Sequence, residues 1–187
     1  MEEERLLIDR VLAGEAKAFE LLVQRYKRLV GHMVFRIVTN AEDREEVAQD
    51  VFLKVYQKLH TFKGESRLGT WIGRIAHHTC LNYLKKKKLA LADIDDETVQ
   101  IAGDRDEEPD EVLELKERKR FIRYQIEQLP VQYGQVLTLY HLEELEIKEI
   151  STILDMPAGT VKNYLFRGRK LLKERLLRQS RKEAIWN

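Results

Sequence analysis

Phe19, Leu22, Val23, Tyr26, Leu29, Val30, Met33 and Ile37 recur at steps of three and four along one uninterrupted stretch, a period that gathers them on one face only in an α-helix. Such a helix has an apolar stripe that must be buried against neighbours. The same period returns in Val47, Val51, Phe52, Val55 and Leu59, and again in Trp71, Ile72, Ile75, Ala76, Thr79 and Tyr83. Three prolines and nine glycines in 187 residues are too few for the frequent tight turns of a β-sandwich. The fold class expected is therefore all-α.

Local signals divide the stripes into two small helical domains. A first helix over residues 2–13 stops at Gly14, and Asn40 with Asp43 marks a later helix start, a side-chain cap followed by an acid that complements the helix dipole. Residues 60–69, with Gly64 and Gly69, read as a loop, after which a helix from Thr70 ends in the lysine run 85–88. These pieces make a first domain over residues 1–90. A second, residues 111–187, opens with a helix carrying Val112, Leu115, Ile122, Ile126 and Leu129, which stops before Pro130. A helix from Val131 then buries Val136, Leu137 and Tyr140, and two shorter helices follow.

The net charge of +1 conceals a strong segregation along the chain. Residues 93–111 hold ten acids against the single base Arg105, whereas residues 162–187 hold nine bases against Glu174 and Glu183. The acidic middle, residues 91–110, has few large apolar side chains and reads as a flexible linker. Basic clusters on either side of it suit phosphates.

Several function classes fall away. The acidic N-terminus has no apolar core of a signal peptide, and no window approaches a membrane span, so a cytoplasmic protein is expected. The one cysteine, Cys80, allows no internal disulfide. His77, His78 and Cys80 diverge around a helix and have no second ligand cluster, so no metal site is expected. No cofactor motif or catalytic constellation stands out, which argues against an enzyme.

Residues 147–173 carry the most informative pattern. Ile150, Ile153 and Leu154 are the inward face of one helix, Asp155, Met156 and Pro157 turn the chain, and Val161, Leu165 and Leu172 are the inward face of the next, with Gly168 on or near it. Thr160, Lys162, Asn163, Phe166, Arg167 and Lys170 are left outside. Lys and Arg neutralise phosphates, and Asn and Arg make bidentate contacts with base edges, so this helix suits a major groove. A solvated helical hairpin has the same pattern, and a free-standing helix-turn-helix regulator or a hydrolase are the competing functions.

Two sets of motifs then make the chain recognisable. In the second half they are Leu129-Pro130, Lys148-Glu149-Ile150, Pro157-Ala158-Gly159-Thr160-Val161-Lys162 and Phe166-Arg167-Gly168-Arg169. In the first half they are Ala18-Phe19, the stretch from Glu46 through Tyr56, Phe62-Lys63-Gly64, Thr70-Trp71 and Arg74-Ile75-Ala76. In this order they resemble the two conserved regions of extracytoplasmic-function sigma factors, the RpoE-like branch of the sigma-70 family, over nearly the whole chain.

The resemblance implies a promoter-directing initiation factor. Its first domain would bind the clamp helices of the largest subunit of core RNA polymerase through Glu46, Gln49, Asp50 and Leu53, which stand at i, i+3, i+4 and i+7. Lys63, Gly64, Ser66, Trp71, Arg74, His78, Asn82 and Lys85 would hold the melted, single-stranded minus-ten element, with His77 on the same exposed side. The second domain would bind the flap of the other large subunit and read the duplex minus-thirty-five element with Thr160, Lys162, Asn163, Phe166, Arg167 and Lys170. A membrane-linked anti-sigma factor is implied as regulator, in an envelope or stress response. His78 stands where many members have Asn, Glu146 where many have Ser, Ser151 where many have Ala, and Tyr164 where some have Arg.

Overall fold

The computed structural model describes residues 2–91 and 113–186, with side-chain positions for residues 2–89 and 117–178. Among the described residues every regular element is helical: α1 (Glu2–Leu12), α2 (Ala16–Ile37), α3 (Ala41–Lys58), a 3-10 turn (Leu59–Thr61), α4 (Leu68–Leu91), α5 (Leu113–Glu127), α6 (Val131–His141), α7 (Ile147–Leu154) and α8 (Ala158–Trp186). They form two compact units, one built from the first half of the chain together with Ser151–Asp155, the other from the rest of the second half. The acidic linker expected at residues 91–110 lies outside the described residues, apart from Leu91, the last residue of α4.

In the first unit α2, α3 and α4 pack mutually and α1 lies against α2. Leu22, Val30, Val51, Val55, Leu68, Ile72 and Ala76 are fully buried between them, each large side chain contributing about 1.5–3 kcal/mol by leaving water. Gly14 ends α1 with φ +85, a left-handed conformation that glycine adopts without a Cβ penalty. Arg10 and Glu15 close the turn with a 2.5 Å ion pair, and the Tyr26 hydroxyl of α2 donates to Glu4 of α1 at 2.7 Å. Asn40 caps α3 as its sequence suggests, accepting from the Glu42 and Asp43 N–H groups at 2.8 and 3.3 Å. Arg44, one turn into α3, donates back to the carbonyls of Val38 and Thr39 at 3.0 and 3.3 Å while its guanidinium lies 4.1 Å above the Phe35 ring. It thereby satisfies carbonyls left open where α2 ends.

Two boundaries differ from the sequence reading. Helix α4 starts at Leu68, so Gly69 belongs to its first turn and not to the loop. A Cβ at Gly69 would lie 3.2 Å from Cε1 of Tyr26, so this glycine serves close helix packing. At its other end α4 runs through the lysines to Leu91, since lysine, leucine and alanine all favour helix.

In the second unit α6 packs on α5 and α8. Val136, Leu137 and Leu139 are buried as a block, and Tyr140 is half-buried. On α5 the inward residues are Gln125 and Ile126, with Leu129 buried just beyond its end, whereas Ile122 is 43% exposed. Gln125 tolerates burial because its Oε1 accepts from Arg175 Nε of α8 at 3.3 Å. The second helix of the helix-turn-helix is also not short: α8 runs for 29 residues, because no proline follows Pro157 and its second half is rich in Lys, Leu, Glu and Arg.

Candidate nucleic-acid and partner interfaces

The turn into α8 is set by backbone geometry. Asp155 ends α7 at φ +52, a conformation that Asp tolerates better than most side chains. The Pro157 carbonyl then accepts from the Thr160 and Val161 N–H groups at 2.9 and 3.1 Å, opening α8. At the start of α7 the Glu149 side chain accepts from the Glu146 N–H at 2.9 Å, half of a capping box that works without a serine at position 146. Ile150, Ile153, Leu154, Val161, Leu165 and Gly168 are buried, and Leu172 is half-buried. Lys162, Asn163, Phe166, Arg167 and Lys170 are exposed along one face of α8, with Phe166 at 71%, and Thr160 is half-buried at its start. Tyr164 turns away from that face to meet Tyr133 of α6 edge to face at 5.4 Å.

α8 is held against α6 at two adjacent positions. A Cβ on Gly168 would come within 3.1 Å of Leu137 Cδ1, so the glycine permits the close approach. Arg169 lies 5.2 Å from the Tyr140 ring centroid and donates from Nε to His141 Nε2 at 3.3 Å. Burial, then the Arg169 charge, holds the His141 imidazole below its ordinary pKa. The sequence reading missed this pair; the only signal was a histidine ending one helix and an arginine beside a packing glycine on another.

In the first unit Arg74, His78, Asn82 and Lys85 are exposed at i, i+4, i+8 and i+11 on α4, a single face. Trp71 lies at the head of that face, half-buried, with Phe62 tilted against it at 5.5 Å. Lys63, Gly64 and Ser66 are exposed in the connection of residues 62–67, where Gly64 adopts φ +73. His77, expected beside them, is instead buried, because neighbours on a helix point about 100 degrees apart. Its pKa is lowered by burial and by His78. Cys80 is buried as well, and burial pushes its thiol up to about 12.

Lys87 also departs from its expected role in a phosphate-facing lysine run. Its ammonium lies 2.9 Å from both the Asp43 carboxylate and the Tyr83 hydroxyl. Lys85, Lys86 and Lys88 point into solvent.

On α3, Glu46, Gln49 and Leu53 are exposed and Asp50 is half-exposed. Two are engaged within the helix: Asp50 pairs with Lys54 at 2.7 Å, and Gln49 donates to Glu45 at 3.2 Å. Leu53, 55% exposed, and Tyr56 line a shallow groove with Phe19 and the α1–α2 turn at Gly14, Glu15 and Ala16. That apolar extension of the acidic face was not foreseen from the spacing of the four residues.

Comparison with known proteins agrees with this arrangement. Residues 22–89 match the family model for sigma-70 region 2, and residues 122–172 that for sigma-70 region 4. The chain is 35% identical to the ECF RNA polymerase sigma-E factor of Escherichia coli K12, over 90% of this chain and 92% of that one. It is 32% identical to the RNA polymerase sigma-H factor of Pseudomonas aeruginosa, over 94% of each. Its fold is similar to that of the sigma factor RpoE crystallised with the anti-sigma factor NepR from Bartonella quintana, with a TM-score of 0.70 at 16% identity over 86% of this chain and 98% of that one. It is also similar to CnrH in complex with the cytosolic domain of CnrY, with a TM-score of 0.62 at 18% identity over 92% and 96%. By its motifs, its two helical units and its relatives, the chain belongs to the sigma-70 family, as an ECF-type sigma factor that binds core RNA polymerase and directs it to promoters.

Proposed function

We propose that initiation is divided among three faces. The α3 face of Glu46, Gln49, Asp50 and Leu53 binds the clamp helices of the largest polymerase subunit. The connection of residues 62–67 and the α4 face from Trp71 to Lys85 take the melted minus-ten strand. The α8 face of Thr160, Lys162, Asn163, Phe166, Arg167 and Lys170 reads the minus-thirty-five duplex, while the second domain meets the flap of the other large subunit. The domains are residues 1–90 and 111–187, joined by the acidic linker.

The observation that carries this reading is the exposed polar face on each of α4 and α8, backed by a buried stripe. Exposed cations face phosphates, and Asn163, Arg167 and Phe166 supply a donor-acceptor pair, a fork and an apolar contact for base edges. On α4 an unstacked base needs a pocket and phosphate contacts to offset the loss of stacking, and Trp71, His78 and Arg74 offer both. The chain acts in the cytoplasm without catalysis of its own, held in reserve by a membrane-linked anti-sigma factor. An anti-sigma regulator is supported by the anti-sigma factor NepR bound to the similar RpoE, and among the described residues no helix is long and apolar enough to cross a membrane.

Transcription of a promoter library by core polymerase with the purified chain tests the division. Alteration of α3 should lower yield at all promoters by weakening core binding. Alteration of α4 should change minus-ten preference, and alteration of α8 minus-thirty-five preference. Equal loss at all promoters from all three would refute it.

A further inference from the structure

We propose that Arg169 and His141 form an anion seat on the flank of α8, and that this seat holds a backbone phosphate of the duplex that α8 enters. The inference rests on the reading of α8 as the groove helix. Arg169 is exposed, follows the packing contact at Gly168, and is fixed by the Tyr140 ring and by its Nε bond to His141. Its fixed partner is a neutral imidazole, which brings no negative charge, and its Nη groups carry no carboxylate among the described residues. A held, uncompensated guanidinium fork matches phosphate geometry. Arg169 also shares a helical edge with Lys162 and Lys173, at i−7 and i+4, both exposed. That edge borders the face presenting Asn163, Phe166 and Arg167, where a strand's phosphates run if those side chains meet bases.

His141 makes the seat responsive to protons. The charged and titratable groups around it are Arg169 on α8 and Tyr140 on its own helix, with Glu143 and Glu144 following in the turn. α5, the other helix on α6, adds no charge that shifts it. In the unbound chain burial and Arg169 disfavour the imidazolium. A phosphate between the two groups reverses that balance: the ring gains a proton, Nε2 changes from acceptor to donor, and both residues direct N–H groups at the anion. DNA binding therefore takes up a proton, and affinity rises as pH falls, about tenfold for each unit by which the phosphate raises the histidine pKa.

The test is fluorescence anisotropy of an upstream minus-thirty-five duplex with the full chain bound to core polymerase, between pH 8 and 5.5, for wild type and His141→Gln. Glutamine still offers Arg169 an acceptor but cannot gain a charge. His141→Gln should match wild type at pH 8 and lose the gain at low pH, and Arg169→Ala should weaken binding throughout and reduce the salt slope by about one. Calorimetry in two buffers of different ionisation enthalpy should show proton uptake in wild type alone. Identical pH profiles for wild type and His141→Gln overturn the seat, and if Lys162→Ala and Arg167→Ala still weaken binding, the reading of α8 survives. If those two variants leave binding unchanged, the reading of α8 fails and the seat with it.

Discussion

Asp43, in the first turn of α3, accepts hydrogen bonds from the Tyr83 hydroxyl and the Lys87 ammonium of α4, the latter at 2.9 Å. One carboxylate thus cross-links the start of one helix to the later turns of another, and these bonds, Tyr83's first, hold its pKa below the usual value. A depressed carboxylate pKa contributes stability that is complete above the unfolded value and is lost as pH falls through the folded one. Asp43→Asn should therefore cost about 1 kcal/mol at pH 7, a figure kept small because the side chains of Lys87 and Asp43 are 34% and 31% exposed. The difference from wild type should shrink below about pH 4. Thermal melts of both proteins from pH 7 to 3 check this, and a constant difference would mean that the ionised pair contributes nothing.

Gly168 should tolerate one added methyl and no more. Alanine gains about 1 kcal/mol of helix propensity but must displace buried Leu137, whose Cδ1 and Cγ would lie 3.1 and 3.2 Å from the new Cβ. The two effects nearly cancel, so Gly168→Ala should be close to neutral. Gly168→Val should cost about 1–3 kcal/mol through overpacking and weaken binding to minus-thirty-five duplex. Urea denaturation and anisotropy measure the two effects, and an unchanged Gly168→Val would mean that α8 is free to shift on α6.

Replacing Gln49 and Asp50 together by Ala should weaken core-polymerase binding without changing helical content. Their present contacts, to Glu45 and Lys54, are i,i+4 pairs, the first exposed and the second half-exposed, worth about 0.3–0.5 kcal/mol each, so little stability is lost with them. Leu53→Ala should weaken the same complex by removing the apolar side of the groove. Core affinity by surface plasmon resonance, alongside circular dichroism, separates binding from folding; unaltered affinity in both variants removes this face from the interface.

Arg167→Ala should relax specificity at one minus-thirty-five position by about 1–3 kcal/mol, the range of a bidentate base contact. Lys170→Ala should instead weaken all sequences alike and reduce the salt dependence. A panel of single-base promoter variants titrated at two salt concentrations distinguishes them. A uniform loss for Arg167→Ala would assign it to phosphate.

His78 is exposed between Arg74 and Asn82, and under the proposed division of faces it tunes which minus-ten base is accepted. An amide presents a fixed donor and acceptor, an imidazole one of each at a different geometry. His78→Asn should reorder base preference on single-stranded minus-ten oligonucleotides, and His78→Ala should flatten it. Unchanged ranking and affinity in both variants would make His78 a solvated surface residue.

The helical class, the split into two domains, the Asn40 cap, the Gly14 stop and the helix-turn-helix were legible because each depends on near neighbours. Apolar period, a capping side chain and a residue tolerant of positive φ act within a few positions, so the linear sequence carries them. The outward sets on α4 and α8 were legible for the same reason, since helical period fixes which residues share a face. Tertiary structure decided what period cannot: that Gly69 and Gly168 serve packing against Tyr26 and Leu137, that Gln125 goes inside and Ile122 outside, that His77 is buried while His78 is exposed, and that Lys87 is drawn from its lysine run by Asp43. It also decided the meeting of His141 with Arg169. Each of these depends on a partner 28 to 50 positions away, or on how a neighbouring helix lies across the stripe, and the energy of such a contact exists only once the chain has brought the two together.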